Sequence, residues 1–484
     1  MVSRPITVYL LAFPIGLMGT VQMGFAVLSH WIFHDREETE FFMPALVMLV
    51  VAVLLLSLAR RLDASKITFR DALLYAVLTW ISCGVLGAIP IVLITGVSFS
   101  DGVFESISAL TTTGATVLSG LDQMPKSFLL YRQFLQWLGG LGVVIFVVSV
   151  LPMLNVGGMK LLKAETPGPV KDEKLSPRVT SSARHLWFVY FLLTFLCALG
   201  YFLGGMSAYD AIAHSFTTVS TGGFSTHDAS MGYFNSPLLL LVADVFMLLG
   251  AISFSLHFRV FHFRRPWLYW RDEETRNFIV WVLLLSLLTA GMLLSFEHYQ
   301  DPWEALSFGT FHLISFITST GYGGDGFTQW HYSIAFLLVF AGYLGGCAGS
   351  TAGGNKIIRN ILSIKLINLQ LKRLIHPNGV FIVKYQGRPV GTDVLSATMA
   401  FMSIAASSTL VLTLAMMATG LDFWSSFTAI SACLNVLGPA FGSLGGNFEP
   451  VSDIGIWVLS AAMILGRLEY FTVLALFLPI FWRH

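Results

Sequence analysis

Near-continuous apolar stretches alternate along this chain with short polar segments. The clearest cover residues 41–59, 186–203, 278–294 and 394–417. A helix needs roughly 20 such residues to cross the hydrocarbon layer, so each predicts a transmembrane span. The first run, residues 5–33, is too long for the apolar core of a secretory signal. No small-x-small cleavage site follows it before the acidic stretch 35–40, so it is expected to remain as a span.

The polar segments sort by sign. Of the 28 Lys and Arg residues, all but Arg36, Lys126, Arg132 and Arg467 lie near the termini or in four segments, 60–70, 160–184, 259–276 and 356–388. The alternate segments are acidic, carrying Asp35, Glu37, Glu38 and Glu40, then Asp101, Glu105 and Asp122, then Asp210 and Asp228, then Glu297, Asp301 and Glu304, then Asp422 and Glu449. The positive-inside rule assigns the basic segments to the cytoplasm and the acidic ones to the outside. Ten spans with both termini inside follow.

After the first helix pair, the outer excursions are too long and too apolar for simple loops. They read DGVFESISALTTTGAT from Asp101, YDAIAHSFTTVSTGGF from Tyr209, PWEALSFGTFHLISFITSTGYGG from Pro302 and LDFWSSFTAISACLNVLGPAFG from Leu421. Each begins with an acidic and an aromatic residue, continues as a short helical stretch rich in Ser, Thr and Ala, and reaches a glycine. Those glycines, Gly114, Gly222, Gly321 and Gly438, are 108, 99 and 117 residues apart. A Leu-Gly pair recurs 24 to 28 residues further on, at Gly139, Gly250, Gly345 and Gly466. One such pair would signify only a helix crossing; two landmarks in register four times mark an internal repeat. The chain divides into an N-terminal helix pair (1–71) and four units (72–155, 156–258, 259–360 and 361–484). Two spans per unit give all four the same orientation, so they can surround one axis, unlike inverted repeats. The expected fold is an all-α polytopic membrane protein with four helix–pore loop–helix repeats around a pseudo-fourfold pore.

Composition agrees: 55% hydrophobic residues, 11% charged and a mean hydropathy of +0.74 exclude a soluble globular protein. The net charge of +1 carries no argument about nucleic acid. The four cysteines, Cys83, Cys197, Cys347 and Cys433, lie in or beside apolar runs without metal-ligand spacing, and neither disulfide nor metal cluster is expected.

Non-helical backbone at membrane depth is tolerated where it lines water or is buried in protein, and its free carbonyls can replace an ion's hydration shell. The segment STGYG, 319–323, is close to the TVGYG filter of potassium channels. Equivalent places in the repeats give four candidate filter segments: Thr112, Thr113, Gly114; Ser220, Thr221, Gly222; Ser319, Thr320, Gly321; and Val436, Leu437, Gly438. Three are degenerate, which predicts a short filter with loose discrimination among potassium and its larger congeners. Asn435 and Pro439 depart further from the pattern.

The third inner span contains GYLGGCAGSTAGGNK, 342–356. At about 1 kcal/mol per glycine relative to alanine, it is expected to break rather than continue as a helix; a close-packed crossing is the alternative. Arg467 lies deep in the last apolar run, where a guanidinium costs about 2.5 to 3.5 kcal/mol on insertion scales. It occupies the slot of Gly140, Ala251 and Gly346 in the other units and is expected to face the axis as an electrostatic barrier. A salt bridge to Glu469 or a lipid-facing position is the alternative. Arg132, nearer the outer end of its helix, is expected to pair with an external acid.

With its four one-glycine filter segments, its LGG-type inner helices and the basic residue in the last of them, the chain resembles the Trk/Ktr/HKT superfamily from about residue 72 to the end. The additional N-terminal pair is similar to the TrkH branch. Gly114 is the pattern associated there with potassium; serine marks sodium-selective relatives. The resemblance implies potassium uptake across a bacterial inner membrane. It also implies that an intramembrane loop beneath the filter, containing Gly345, Gly346, Gly349, Ser350, Thr351, Gly353 and Gly354, gates the pore together with Arg467. It further implies a homodimer with one pore per subunit and a cytosolic, nucleotide-binding partner of the RCK type, similar to TrkA. This chain has neither GxGxxG after a strand nor a P-loop, so potassium is its own expected ligand and nucleotide falls to the partner. Segments 160–184 and 365–388 are candidate docking surfaces and, equally, topology determinants. A sodium- or proton-coupled symporter is the competing function, with Asp244 the one conspicuous carboxylate inside a span. No constellation suited to an enzyme is found.

Overall fold

Residues 4–58, 69–149 and 176–482 are described by a computed structural model; most of segments 60–70 and 160–184 lies outside them. Six helices are long and apolar enough to cross a membrane, and two bent pairs bring the number to eight. Lys126–Ser149 and the short Tyr332–Leu344 complete ten membrane segments among the described residues.

The N-terminal helices Arg4–Leu28 and Glu38–Leu58 cross where small residues permit close approach: a Cβ on Gly19 would come within 3.0 Å of Leu49. The pair docks on unit 1 through polar groups that find partners at depth. Gln22 donates to the Leu86 carbonyl (3.0 Å) and to the Tyr131 hydroxyl (3.3 Å), which itself donates to the Gly87 carbonyl within unit 1 (3.0 Å).

Each unit has an outer helix, a pore helix and an inner helix. The outer helices are Phe69–Thr95, Ser176–Leu203, Glu273–Ser295 and Thr392–Met417. The pore helices, Phe99–Leu110, Ala208–Val219, Pro302–Ile317 and Phe423–Leu434, are 12 to 16 residues long, too short to cross. Each starts at the acidic face with a side-chain cap: Ser98, Ser207, Asp301 and Asp422 accept backbone N–H groups of the first turn. The C-terminal, electronegative ends are thereby directed toward the axis. The apolar core has two lobes, one built mainly from units 2 and 3 and the other from the N-terminal pair with units 1 and 4.

The inner helices differ. Lys126–Ser149 is continuous; Tyr332–Leu344 ends at the glycine-rich segment, and a helix resumes at Ile357–Ile375. Two further breaks were not expected from sequence: Pro237–Ala251 turns by 97° into Phe254–Phe263, and Asp453–Arg467 by 113° into Tyr470–Phe477. The first turns at Ile252, whose backbone is extended, and the second at Glu469, with φ +57°. The boundaries drawn at 258 and 360 therefore fall inside helices, because the inner spans of units 2 and 3 lead into amphipathic helices at the basic face.

Candidate functional site

Beyond the pore-helix caps Thr111, Ser220, Thr318 and Asn435 the backbone repeats one three-residue conformation four times. A residue with positive φ comes first: Thr112 (57°), Thr221 (52°), Ser319 (54°) and Val436 (57°). The next residue returns its N–H to the pore helix: Thr113 to Ser108 (2.9 Å), Gly222 to Thr217 (2.7 Å), Thr320 to Ser315 (2.8 Å) and Leu437 to Ala432 (2.8 Å). A positive-φ glycine closes the turn: Gly114, Gly223, Gly321 and Gly438, at φ 77–98°. These glycines form a closed circuit. A Cβ on Gly114 would strike the carbonyl of Gly222, on Gly223 that of Thr320, on Gly321 that of Leu437 and on Gly438 that of Thr113. The middle-residue carbonyls of all four units are thus placed against their neighbours with no side chain between them.

The circuit corrects the register of unit 2. Thr221, Gly222 and Gly223 are equivalent to Thr112, Thr113 and Gly114, one residue on from the alignment of Ser220, Thr221 and Gly222; Ser220 is the helix cap. Two adjacent glycines made Thr-Gly the misleading match, and only φ separates them. In units 1, 3 and 4 the repeated conformation falls on residues 112–114, 319–321 and 436–438.

Buried side chains brace the ring. Glu105 accepts from Thr116 Oγ1 (3.0 Å) and the Val117 amide (3.2 Å) and forms a buried ion pair with Arg132, whose guanidinium lies over Phe224. Arg132 therefore does meet an acid of the outer excursion, on the pore helix rather than in solvent. Gln136 donates to the Gly222 carbonyl (2.8 Å) and accepts from the Phe224 amide (3.1 Å). The Tyr322 hydroxyl contacts Thr217 (2.6 Å) and Thr218 (3.0 Å) and donates to the His214 carbonyl (3.1 Å), joining the ring segment of unit 3 to pore helix 2. His312 Nε2 accepts the Gly324 amide, and Thr428 pairs with the backbone of Phe441. Sequence reasoning missed Glu105, Gln136 and Tyr322 as braces; the available signal was a polar side chain at membrane depth.

Gly139, Gly250 and Gly466 of the Leu-Gly pairs share one role, letting the inner helix lie against the last carbonyls of the pore helix, at Leu110, Val219 and Leu434. Gly345 has a different one. Its φ of +70° turns the chain out of the helix, and segment 345–356 passes beneath the ring. The segment is tied to three units. Thr351 Oγ1 donates to the carbonyls of Val219 and Gly250 (both 3.0 Å), the Gly353 amide to Ser319 Oγ (2.5 Å) and the Gly354 amide to the Asn435 carbonyl (3.1 Å). Arg467 reaches the same loop, donating from Nη1 to the Thr351 carbonyl (2.9 Å), while Nε and Nη2 have no partner among the described residues. A cavity of about 40 Å³ beside it, lined also by Lys356, Arg359 and Asn435, is roomy enough for water. Glu469, the alternative partner of Arg467, pairs instead with Arg359 (2.7 Å). Asp244 lies between the exposed Leu241 and Val245, and its Oδ1 is buried with no partner among the described residues.

Four short helices capped at one face, converging on a ring of backbone carbonyls inside ten membrane segments, define a pore-loop membrane protein, a class suited to passing a partly dehydrated ion along one axis. The family model TrkH, described as a cation transport protein, matches residues 39–482, and the chain belongs to that family. It is 45% identical over 418 residues, 86% of each chain, to the Trk system potassium uptake protein TrkH of Vibrio parahaemolyticus. It is 42% identical over 426 residues, 88% of each, to the protein of the same name in Escherichia coli K12. The crystal structure of the potassium transporter TrkH from Vibrio parahaemolyticus superposes with a TM-score of 0.92 at 38% identity, covering 99% of this chain and 100% of that one. These relatives are transporters, not enzymes.

Proposed function

We propose that this chain is a potassium-selective pore for uptake across a bacterial inner membrane, with the acidic face outside, both termini in the cytoplasm and segment 345–356 as its gate. The observation that carries this reading is the closed circuit of carbonyls with a single loop bound beneath it. Gly114, Gly223, Gly321 and Gly438 allow the carbonyls of Thr113, Gly222, Thr320 and Leu437 to approach one ion. Arg467, held on the Thr351 carbonyl, places a positive charge below them and adds an electrostatic barrier while the loop is in place. Membership of the family supports a homodimer with one pore per subunit, and a cytosolic RCK-type regulatory partner similar to TrkA that docks on the basic face.

Flux from potassium-loaded liposomes containing the purified chain tests this. Current should reverse at the potassium equilibrium potential, lose preference over sodium in Gly321→Ser and rise severalfold in Arg467→Ala. A sodium- or proton-coupled symporter is the second reading, motivated by the unpartnered oxygen of Asp244. Transport that requires a sodium or proton gradient, and stops in Asp244→Asn, would establish it instead.

A further inference from the structure

The loop beneath the ring is held from the basic face by one side chain that neither filter nor barrier uses. Glu274, buried in the first turn of Glu273–Ser295, accepts two hydrogen bonds on a single oxygen: Oε1 takes the Ala348 amide at 2.8 Å and the Ile358 amide at 3.1 Å. These amides belong to opposite arms of the loop. Ile358 lies in the first turn of Ile357–Ile375, where N–H groups have no partner within the helix, and the cap residue Lys356 supplies no side-chain bond. A carboxylate from the outer helix of the same unit thus caps this helix and favours its positive end, while also holding the descending arm at Ala348.

The two residues before Glu274 grip something else. Glu273 pairs with Lys365 and accepts the Gln386 amide (2.7 Å), and Asp272 accepts Gln386 Nε2 (2.8 Å). Lys365 also donates to the Lys384 carbonyl (2.7 Å). Gln386 lies at the turn of a two-stranded hairpin, Lys384–Tyr385 with Arg388–Pro389, exposed at the basic face. Three consecutive acids on one rigid helix end therefore touch the hairpin, the following helix and both arms of the loop.

We infer that Glu274 is a positioning residue that clasps the loop shut, and that Asp272 and Glu273 couple this clasp to the exposed hairpin, so that displacing the hairpin releases the loop. The inference rests on the reading of segment 345–356 as the gate. Cys347, buried one residue before Ala348, reports loop release independently of conduction. The test uses the full chain in liposomes. Alkylation of Cys347 by a small water-soluble maleimide is followed by peptide mass spectrometry, with Cys433 as an internal reference, and potassium flux is measured on the same samples. Glu274→Asp keeps the charge but withdraws the oxygen. It should raise Cys347 alkylation about tenfold, the order expected from losing a charge-assisted hydrogen bond, and raise flux with the reversal potential unchanged. Glu274→Gln keeps an acceptor oxygen at the same reach but loses the charge, and should shift both readouts in the same direction as Glu274→Asp but by less. Glu273→Ala, at a partly exposed site, should shift both in the direction of Glu274→Asp but by less. Faster alkylation without a change in flux supports the clasp and removes the gate reading. Unchanged alkylation in both Glu274→Asp and Glu273→Ala overturns the clasp, whatever the flux.

Discussion

A methyl group on Gly223 has nowhere to go: φ is +77°, and a Cβ would meet the backbone carbonyl of Thr320. At Gly222 the obstacle is the side chain of Gln136, and φ is not in the left-handed region. Gly223→Ala is therefore expected to lower potassium flux in liposomes by tenfold or more, given about 1 to 2 kcal/mol for a left-handed non-glycine residue before any clash. Gly222→Ala should lose less, and the reverse order would refute the register found here. A second residue-level expectation concerns Arg132, which shares a fully buried ion pair with Glu105. Arg132→Met leaves a buried carboxylate alone and should cost about 3 to 5 kcal/mol, seen as a lower unfolding temperature in detergent. Adding Glu105→Gln should recover much of it. Sequence alone exposed Arg132 and Arg467 because a charge at membrane depth is conspicuous in one dimension. It did not reveal their partners, because Glu105 and the Thr351 carbonyl are brought near them only by folding.

The elements were largely legible. Apolar length marked the spans, the fourfold landmarks marked the pore helices, and the glycine-rich run 342–356 marked the broken third inner helix. The turns after Ala251 and Arg467 were not, since Ile252 and Glu469 lack the glycine or proline signature of a break and bend under tertiary contacts. One connection between elements is pH-sensitive. On the acidic face His227 bonds Asp122 (2.5 Å), lies 3.5 Å from Asp210 and stacks on Tyr233, tying the loop after filter 1 to that after filter 2. Burial lowers its pKa, but the two carboxylates outweigh burial and raise it above the usual 6.5. Asp122, through its bond to His227, is held below the ordinary carboxylate value. A raised histidine contributes stability fully below its unfolded value and loses it as pH rises through the folded one, whereas the depressed Asp122 contributes above 3.8 and loses it on acidification. The His227 connection is thus strongest in the acidic window between 3.8 and 6.5 and weakens as the pH rises above it. The unfolding temperature of wild type should exceed that of His227→Gln at about pH 6 by a margin that shrinks by about pH 9; a constant margin would show that the ion pairs do not contribute.

At the scale of the whole molecule, the four units hold one another in a ring, and Tyr322 is the clearest tie between two of them, since its hydroxyl bridges filter 3 to Thr217, Thr218 and the His214 carbonyl. Tyr322→Phe should leave the fold intact, cost about 1 kcal/mol or slightly more, and reduce potassium preference over sodium in flux assays; unchanged selectivity would reduce the tie to packing. Four related units in one chain also need not behave alike. Among the described residues only the third sends a loop beneath the ring, and it crosses under the neighbouring units to meet Val219, Asn435 and Arg467. A pore closed by four identical gates can pause with one, two or three withdrawn. With a single obstruction per pore, as proposed, there is one event to make or undo, so records from the homodimer should show equal steps of one unit conductance, at most two open levels and no partial ones, and each pore's open dwell times should decay with a single exponential.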